Sequence, residues 1–170
     1  MRVPPPIIAA IAAGGLSVGG VSFYEHNEGM KLQPYRDVTG TWTVCAGLTQ
    51  VEMRAYTAEE CRQMTVRAVQ EAGHAVETLT PAAKGNNFYV AALADFYLNV
   101  GRANYLASTA HKRFSDGDPL AGCLALGPYI VDYQTGVARS GYIHSKGSVI
   151  NGLKNRRLAE MDVCLRGYGS

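Results

Sequence analysis

The four cysteines form no CxxC pair. Cys45, Cys61, Cys123 and Cys164 are widely spaced, which argues against a zinc site or thioredoxin-type chemistry. There is one tryptophan, Trp42, whose expected place is the core of a small sheet, and the four histidines, His26, His74, His111 and His144, are scattered with no ligand-like spacing. No internal repeat or low-complexity linker divides the chain. Charge is also sparse: 18% of residues are charged and the formal net charge is +2. The Lys and Arg residues form no basic stripe, so a nucleic-acid partner is not expected. What is present is 47% hydrophobic residues in a chain of 170, enough for one domain with its own core.

A second absence is local. From Val3 to Tyr24 no side chain is charged, while Arg2 precedes the stretch and Glu25 and Glu28 follow it. That asymmetry predicts an inserted segment with a cytoplasmic N-terminus and the rest of the chain outside. The prolines at 4 to 6 suit a helix entrance. Gly14, Gly15, Gly19 and Gly20 dilute the apolar run. A helix from Ile7 to Phe23 would rise roughly 26 Å, short of the ~30 Å hydrocarbon core, so it spans only marginally. A cleaved signal peptide competes, with small residues in AIAAGG and SVGG. The third reading, a helix buried in the globular fold, lacks a visible polar face. The organisation expected is a membrane-type segment over residues 1–24 and a folded domain over 25–170. In the cytosol the cysteines would be buried thiols; outside it, two disulfides are expected. Of three connectivities, Cys45 with Cys61 and Cys123 with Cys164 keeps each pair within one half of the chain.

Residues 29–52 are rich in Thr, Val, Tyr and Trp, with turns at Asp37, Gly40 and Gly47, and read as a small antiparallel sheet. Thr57 and Glu60 form a capping-box pattern opening a helix over 57–76. NNFYVAALADFYLNVG predicts a hydrophobic central helix ending at Gly101. Further helices are expected over 105–114, 119–127 and 152–165, with 127–148 mostly loop. A small sheet followed by a run of helices is an α+β arrangement.

Glu28, Asp37 and Thr43 carry the chemistry. Cleaving a glycosidic bond takes a protonated carboxylic acid at the leaving oxygen, and a second carboxylate to activate water or stabilise the oxocarbenium-like centre. Glu28 lies where a helix gives way to strands, with Met30 and Leu32 as neighbours that can lower the local polarity. Asp37, on a sheet turn, is the better hydrated partner. The Thr43 hydroxyl can hold a water on the side opposite Glu28.

The spacing E-x8-D-x5-T resembles the catalytic triad of the phage-type lysozymes, glycoside hydrolase family 24. EGMKLQPYRDVTGTWTVCAGLT is similar to that family's EG…YxDxxGxWTxGxGHT pattern, with Leu48 in place of its histidine. FYLNVGRANYLAST (96–109) is similar to its FNVG…ST segment, and GLKNRR (152–157) to the start of its C-terminal helix. The resemblance spans roughly residues 24–166. Cys45, Cys61, Cys123 and Cys164 fall where the endolysin branch places cysteines.

The resemblance implies a lysozyme-like α+β fold, with a small antiparallel sheet lobe and a mainly helical lobe. It implies hydrolysis, with inversion, of the β-1,4 bond between N-acetylmuramic acid and N-acetylglucosamine in peptidoglycan, leading to host cell lysis. Glu28 would be the acid, Asp37 the base or electrostatic partner and Thr43 the water holder. Asn99 matches a residue that contacts the sugar polymer, and Arg156 an arginine that pairs with the acid. A monomer without metal or organic cofactor is implied. The leader adds a likeness to signal-arrest-release endolysins, which the host secretion machinery exports. They wait in the inner membrane, N-terminus in the cytoplasm, and later enter the periplasm. Phe23 to Glu28 is at most about 17 Å of extended chain, so a tethered acid stays at the lipid surface. The leader has no cysteine, so activation by refolding of the freed segment against the domain is expected rather than disulfide exchange. Rival readings are a catalytically degenerate wall-binding protein, and a lytic transglycosylase that needs the acid alone.

Overall fold

The computed structural model describes residues 3–14, 16–37, 40–131 and 135–169. Arg2 and Gly15 of the membrane-type segment, and 132–134 of the stretch read as loop, lie outside the described residues.

The chain opens with α1 (Pro5–Gly14), a π-helical turn over Leu16–Gly20, and α2 (Val21–Glu28). An antiparallel pair follows, β1 (Lys31–Arg36) and β2 (Trp42–Cys45). Next come α3 (Ala58–Leu79), a 3-10 turn over Pro81–Ala83, and α4 (Asn87–Val100). Three short helices, α5 (Arg102–Ala107), α6 (Thr109–Ser115) and α7 (Pro119–Leu124), precede the final helix α8 (Asn151–Arg166). Between α7 and α8 lie two small hairpins, β3 (Tyr129–Val131) with β4 (Ala138–Ser140) and β5 (His144–Ser145) with β6 (Ser148–Val149). The result is an α+β fold of small antiparallel sheets and a mainly helical body.

α4 is the axis of that body. Its residues from Tyr89 to Phe96 are buried without a break, as expected of a helix surrounded on all sides, and α1, α3 and α8 pack against it. Asn86 caps its start, accepting from the backbone N–H of Phe88 and Tyr89 at 3.2 and 3.1 Å. The helix expected over 105–114 is two helices. Ser108 is extended there, and its hydroxyl accepts from the His111 N–H at 3.1 Å, capping a fresh helix. The stretch read as loop contains the two hairpins. Strands of two or three residues are too short to display an alternating pattern.

The uncharged N-terminal stretch lies in this same core. Val3, Ile11 and Phe23 are buried with the residues of α4, and Ile7, Ile8 and Leu16 pack against them. The outer face of α1 is Ala9, Ala12, Ala13 and Gly14. A helix can therefore be one-sided by size instead of polarity: exposing a methyl group or a bare backbone leaves little apolar area in water. The segment therefore needs no polar face to be buried on one side. Two glycines allow the close approach. A Cβ on Gly19 would overlap the backbone of Ile11, and one on Gly73 of α3 would overlap the Leu16 side chain. Among the described residues no helix is long and apolar enough to cross a membrane.

Two disulfides brace the ends of the fold. Cys45–Cys61 ties β2 to the first turn of α3, and Cys123–Cys164 ties α7 to α8. Their sequence separations of 16 and 41 residues correspond to about 3 and 4 kcal/mol in the chain-entropy account.

The start of α3 is a full capping box. The Thr57 hydroxyl accepts from the Glu60 N–H at 3.2 Å and the Glu60 carboxylate accepts from the Thr57 N–H at 2.8 Å. The Thr57 N–H, the Arg54 guanidinium and the Thr57 hydroxyl hold Glu60 down at about 2, below its ordinary value of 4.5. A carboxylate lowered on folding stabilises the fold fully above its unfolded value, and the contribution is lost as pH falls through the folded one. Glu60→Gln should therefore flatten the fall in stability between about pH 4.5 and 2, read as urea midpoint against pH. An unchanged acid slope would show that the capping carboxylate is not involved.

Candidate active site

Glu28 is the last residue of α2 because Gly29 follows at φ +70°, a left-handed conformation that ends a helix and strongly favours glycine. The acid is thus delivered at a rigid helix end, facing the β1–β2 hairpin. Across from it runs the turn after β2, where Gly47 has φ +77° and a Cβ would stand 2.9 Å from Glu28 Cδ. Only a bare backbone leaves room for the carboxyl at that point.

The hairpin positions the other two residues. Tyr35 on β1 pairs with Thr43 on β2, and Asp37 follows the last residue of β1, Arg36. Asp37 closes the turn: its Oδ1 accepts from the Thr41 N–H at 2.9 Å and its N–H donates to Thr41 O at 3.0 Å. The Thr43 hydroxyl donates to Thr41 O at 3.0 Å and is only 2% exposed. Burial, then Glu28, then Asp37 all raise the Tyr35 phenol above its ordinary value. One hydroxyl on the hairpin therefore senses both carboxylates.

Beneath Glu28 lies a buried polar cluster. Arg156 of α8 is 5% exposed. Its Nη1 donates to Glu28 Oε1, its Nε to Asp95 Oδ2 at 2.9 Å and its Nη2 to Asp95 Oδ1 at 3.1 Å. Burial works against the guanidinium charge, but Asp95, Glu28 and Glu160 outweigh it and hold Arg156 well above its usual value. Asn27, the neighbour of Glu28, donates to Asp95 Oδ2 at 3.1 Å. Burial, then Glu28, push the Tyr24 phenol up, and the Tyr24 ring lies 5.4 Å from Arg156 Cζ. Arg157 is fully buried, donates to Asn99 Oδ1 at 2.9 Å and to Glu160 Oε1 at 2.5 Å, and lies 4.8 Å from the Phe96 ring centroid. Burial raises Glu160 far above its ordinary value and lowers Arg157.

A groove of about 590 Å³ runs beside this assembly, lined among others by Tyr24, Gly47, Leu48, Arg67, Tyr97 and Arg102. It opens between the hairpin side and the helical body. Leu48, which stands where the resembled pattern has a histidine, also packs on the apolar cluster around Cys45 and Cys61.

Several sequence expectations change here. Trp42 is 48% exposed, under the Arg36 guanidinium at 4.7 Å, and is not in the core. Met30 and Leu32 are exposed, so the surroundings of the Glu28 carboxyl are Gly47 and Arg156 and not those two side chains. Arg156, matched in the sequence to an arginine that pairs with the acid, is buried under Glu28 and donates to it. The Asn99 oxygen is engaged by Arg157. Asp95, Asn27, Tyr35 and Glu160 went unnoticed in the sequence. Asp95 carried a signal, since it is the sole charged residue of the predominantly hydrophobic α4, and a buried charge needs a partner.

A helix-borne carboxylate facing a small antiparallel hairpin across a groove is the layout of a lysozyme-like fold. Residues 25–160 match the family described as phage lysozyme, and the chain belongs to that family. It is 31% identical over 176 residues to the SAR-endolysin of Escherichia phage Mu, covering 95% of this chain and 92% of that protein. It is 35% identical over 140 residues to the SAR-endolysin of Pseudomonas phage phiKMV, covering 81% of each. The crystal structure of the active form of the P1 phage endolysin Lyz aligns over 98% of this chain and 96% of its own, with a TM-score of 0.70 at 18% identity, a likeness of fold.

Proposed function

We propose that this protein is an endolysin that hydrolyses the β-1,4 bond between N-acetylmuramic acid and N-acetylglucosamine in peptidoglycan, with inversion. The observation that carries the reading is the placement of the Glu28 carboxyl at the end of α2, against the Gly47 turn and beside the hairpin that bears Asp37 and Thr43.

Glu28 donates its proton to the leaving glycosidic oxygen as the C1–O bond breaks. A water held by Thr43 and Asp37 adds to C1 from the other face and yields its proton to Asp37. The Thr43 hydroxyl already donates to Thr41 O, so its oxygen is left to accept a hydrogen from that water. The second water hydrogen points to Asp37, and a lone pair remains for the sugar carbon. Solvent exchange then returns Glu28 to the acid form and Asp37 to the carboxylate.

The same protein is held at the inner membrane of the host by residues 1–24 after export, and acts in the periplasm once that segment leaves the lipid. In support stand the uncharged stretch from Val3 to Tyr24, the SAR-endolysin relatives, and the burial of Val3, Ile11 and Phe23 in the domain core. A tethered acid and an unfilled core both keep the enzyme latent.

The test is product analysis on purified peptidoglycan. Mass spectrometry should find reducing muramic ends, and proton NMR of early products should find the α anomer first. Anhydro-muramic ends would replace hydrolysis by transglycosylation, and an early β anomer would replace inversion by retention.

A further inference from the structure

Arg156 is shared in an uneven way. One N–H reaches Glu28, while two donors go to the two oxygens of Asp95. Such a fork-to-fork pair is the strongest geometry a guanidinium offers. Asp95 also receives the amide of Asn27, the residue before the acid. It is 2% exposed and sits on the most buried helix of the fold. A single carboxylate from Glu28 would have sufficed to pair a buried arginine, so the second one calls for a reason.

The reason lies in what an acid catalyst requires. Glu28 has to carry a proton when the glycosidic bond breaks, and an unshared guanidinium at hydrogen-bond distance favours the ionised carboxylate. A cation already neutralised by another carboxylate can orient Glu28 through one hydrogen bond without fixing its charge. We propose that Asp95 is a positioning residue for the acid: it neutralises Arg156 and anchors Asn27, so that Glu28 is aimed at the groove yet free to hold its proton. The proposal rests on the reading of Glu28 as the acid. The groups facing Glu28 are Tyr24 on α2, Tyr35 and Asp37 on the β1 side, Asp95 on α4, and Arg156, Arg157 and Glu160 on α8. Glu160 Oε1 also stands 3.5 Å from Arg156 Nε, but its closer partner is Arg157 at 2.5 Å, so the paired contact of Arg156 is the one with Asp95.

The experiment is the pH dependence of kcat/KM for the soluble full-length chain on chloroform-treated Gram-negative cells. Asp95→Asn keeps the shape and removes the charge. The alkaline limb of its profile should move to lower pH by about one unit, roughly a tenfold loss at a fixed alkaline pH. Asp95→Asn with Arg156→Gln removes both charges and leaves no unpaired ion in the interior, so it should return the limb close to its original position. The double variant also decides the matter if Asp95→Asn alone does not fold. A merely structural Asp95 would lower activity at every pH with the limb unmoved, and that result overturns the proposal. So does a double variant whose limb lies well above the original. Activity retained by Glu28→Gln would instead sink the assignment of the acid itself, which keeps the two failures apart.

Discussion

Glu28→Gln is expected to cut turnover of peptidoglycan by about 10²–10⁴-fold, the usual weight of a positioned general acid, with the fold intact. Glutamine is close to isosteric, and its amide oxygen can still accept from Arg156 Nη1 where Glu28 Oε1 does now. Arg156 keeps its paired contact with Asp95, so the substitution leaves no unpaired charge in the interior, the situation that makes breaking buried ion pairs costly. Turbidity clearing measures the loss, and circular dichroism melting checks the fold. Clearing at close to the parent rate would mean that the proton comes from elsewhere. A collapse of the melting temperature would mean that the carboxylate serves chiefly to hold α2 on α8.

The second large effect is expected at Gly19. Gly19→Ala adds one methyl group to the leader, about 0.8 kcal/mol of apolar transfer, too little to hold it in a membrane. In the folded protein the same methyl would overlap the backbone nitrogen and Cα of Ile11. Backbone on both sides cannot give way, so α1 must lift. That exposes Val3 and Ile11, both almost fully buried now, at about 1.5–3 kcal/mol each. The docked state should lose a factor of roughly 10²–10⁴ relative to the undocked one. The variant should therefore leave the membrane normally and then fail to lyse. Gly14→Leu is the contrasting change, because residue 14 is on the exposed face of α1. It enlarges the apolar surface of the leader at an exposed position and should act through retention. Fractionation and lysis timing read the two separately. Lysis by Gly19→Ala on the parent schedule would exclude any need for the docked segment.

Much of this molecule can be read along the chain. The capping box at Thr57 and Glu60 and the apolar run of α4 depend on neighbours three to eight residues apart, so local order reveals them. The spacing of Glu28, Asp37 and Thr43 also survives in one dimension, because a helix end and a two-stranded hairpin are consecutive. The buried network does not. Asn27, Asp95, Arg157 and Glu160 come from three helices, and their pairing depends on how α2, α4 and α8 meet. The place of Trp42 is hidden along the chain for a related reason: a two-stranded hairpin has one face turned from the core, and only the packing of the sheet reveals which.

The leader marks the division most sharply. By itself, the sequence determined that residues 3 to 24 avoid water, because no side chain there carries a charge and burial of apolar area follows from composition alone. It could not determine what they are buried against. Lipid and protein interior reward the same side chains, and the choice in favour of the interior depends on shape: a gap beside α4, a Gly73 that admits Leu16, and a Gly19 that lets two backbones touch. Those are properties of surfaces brought together by folding, and they exist only in three dimensions.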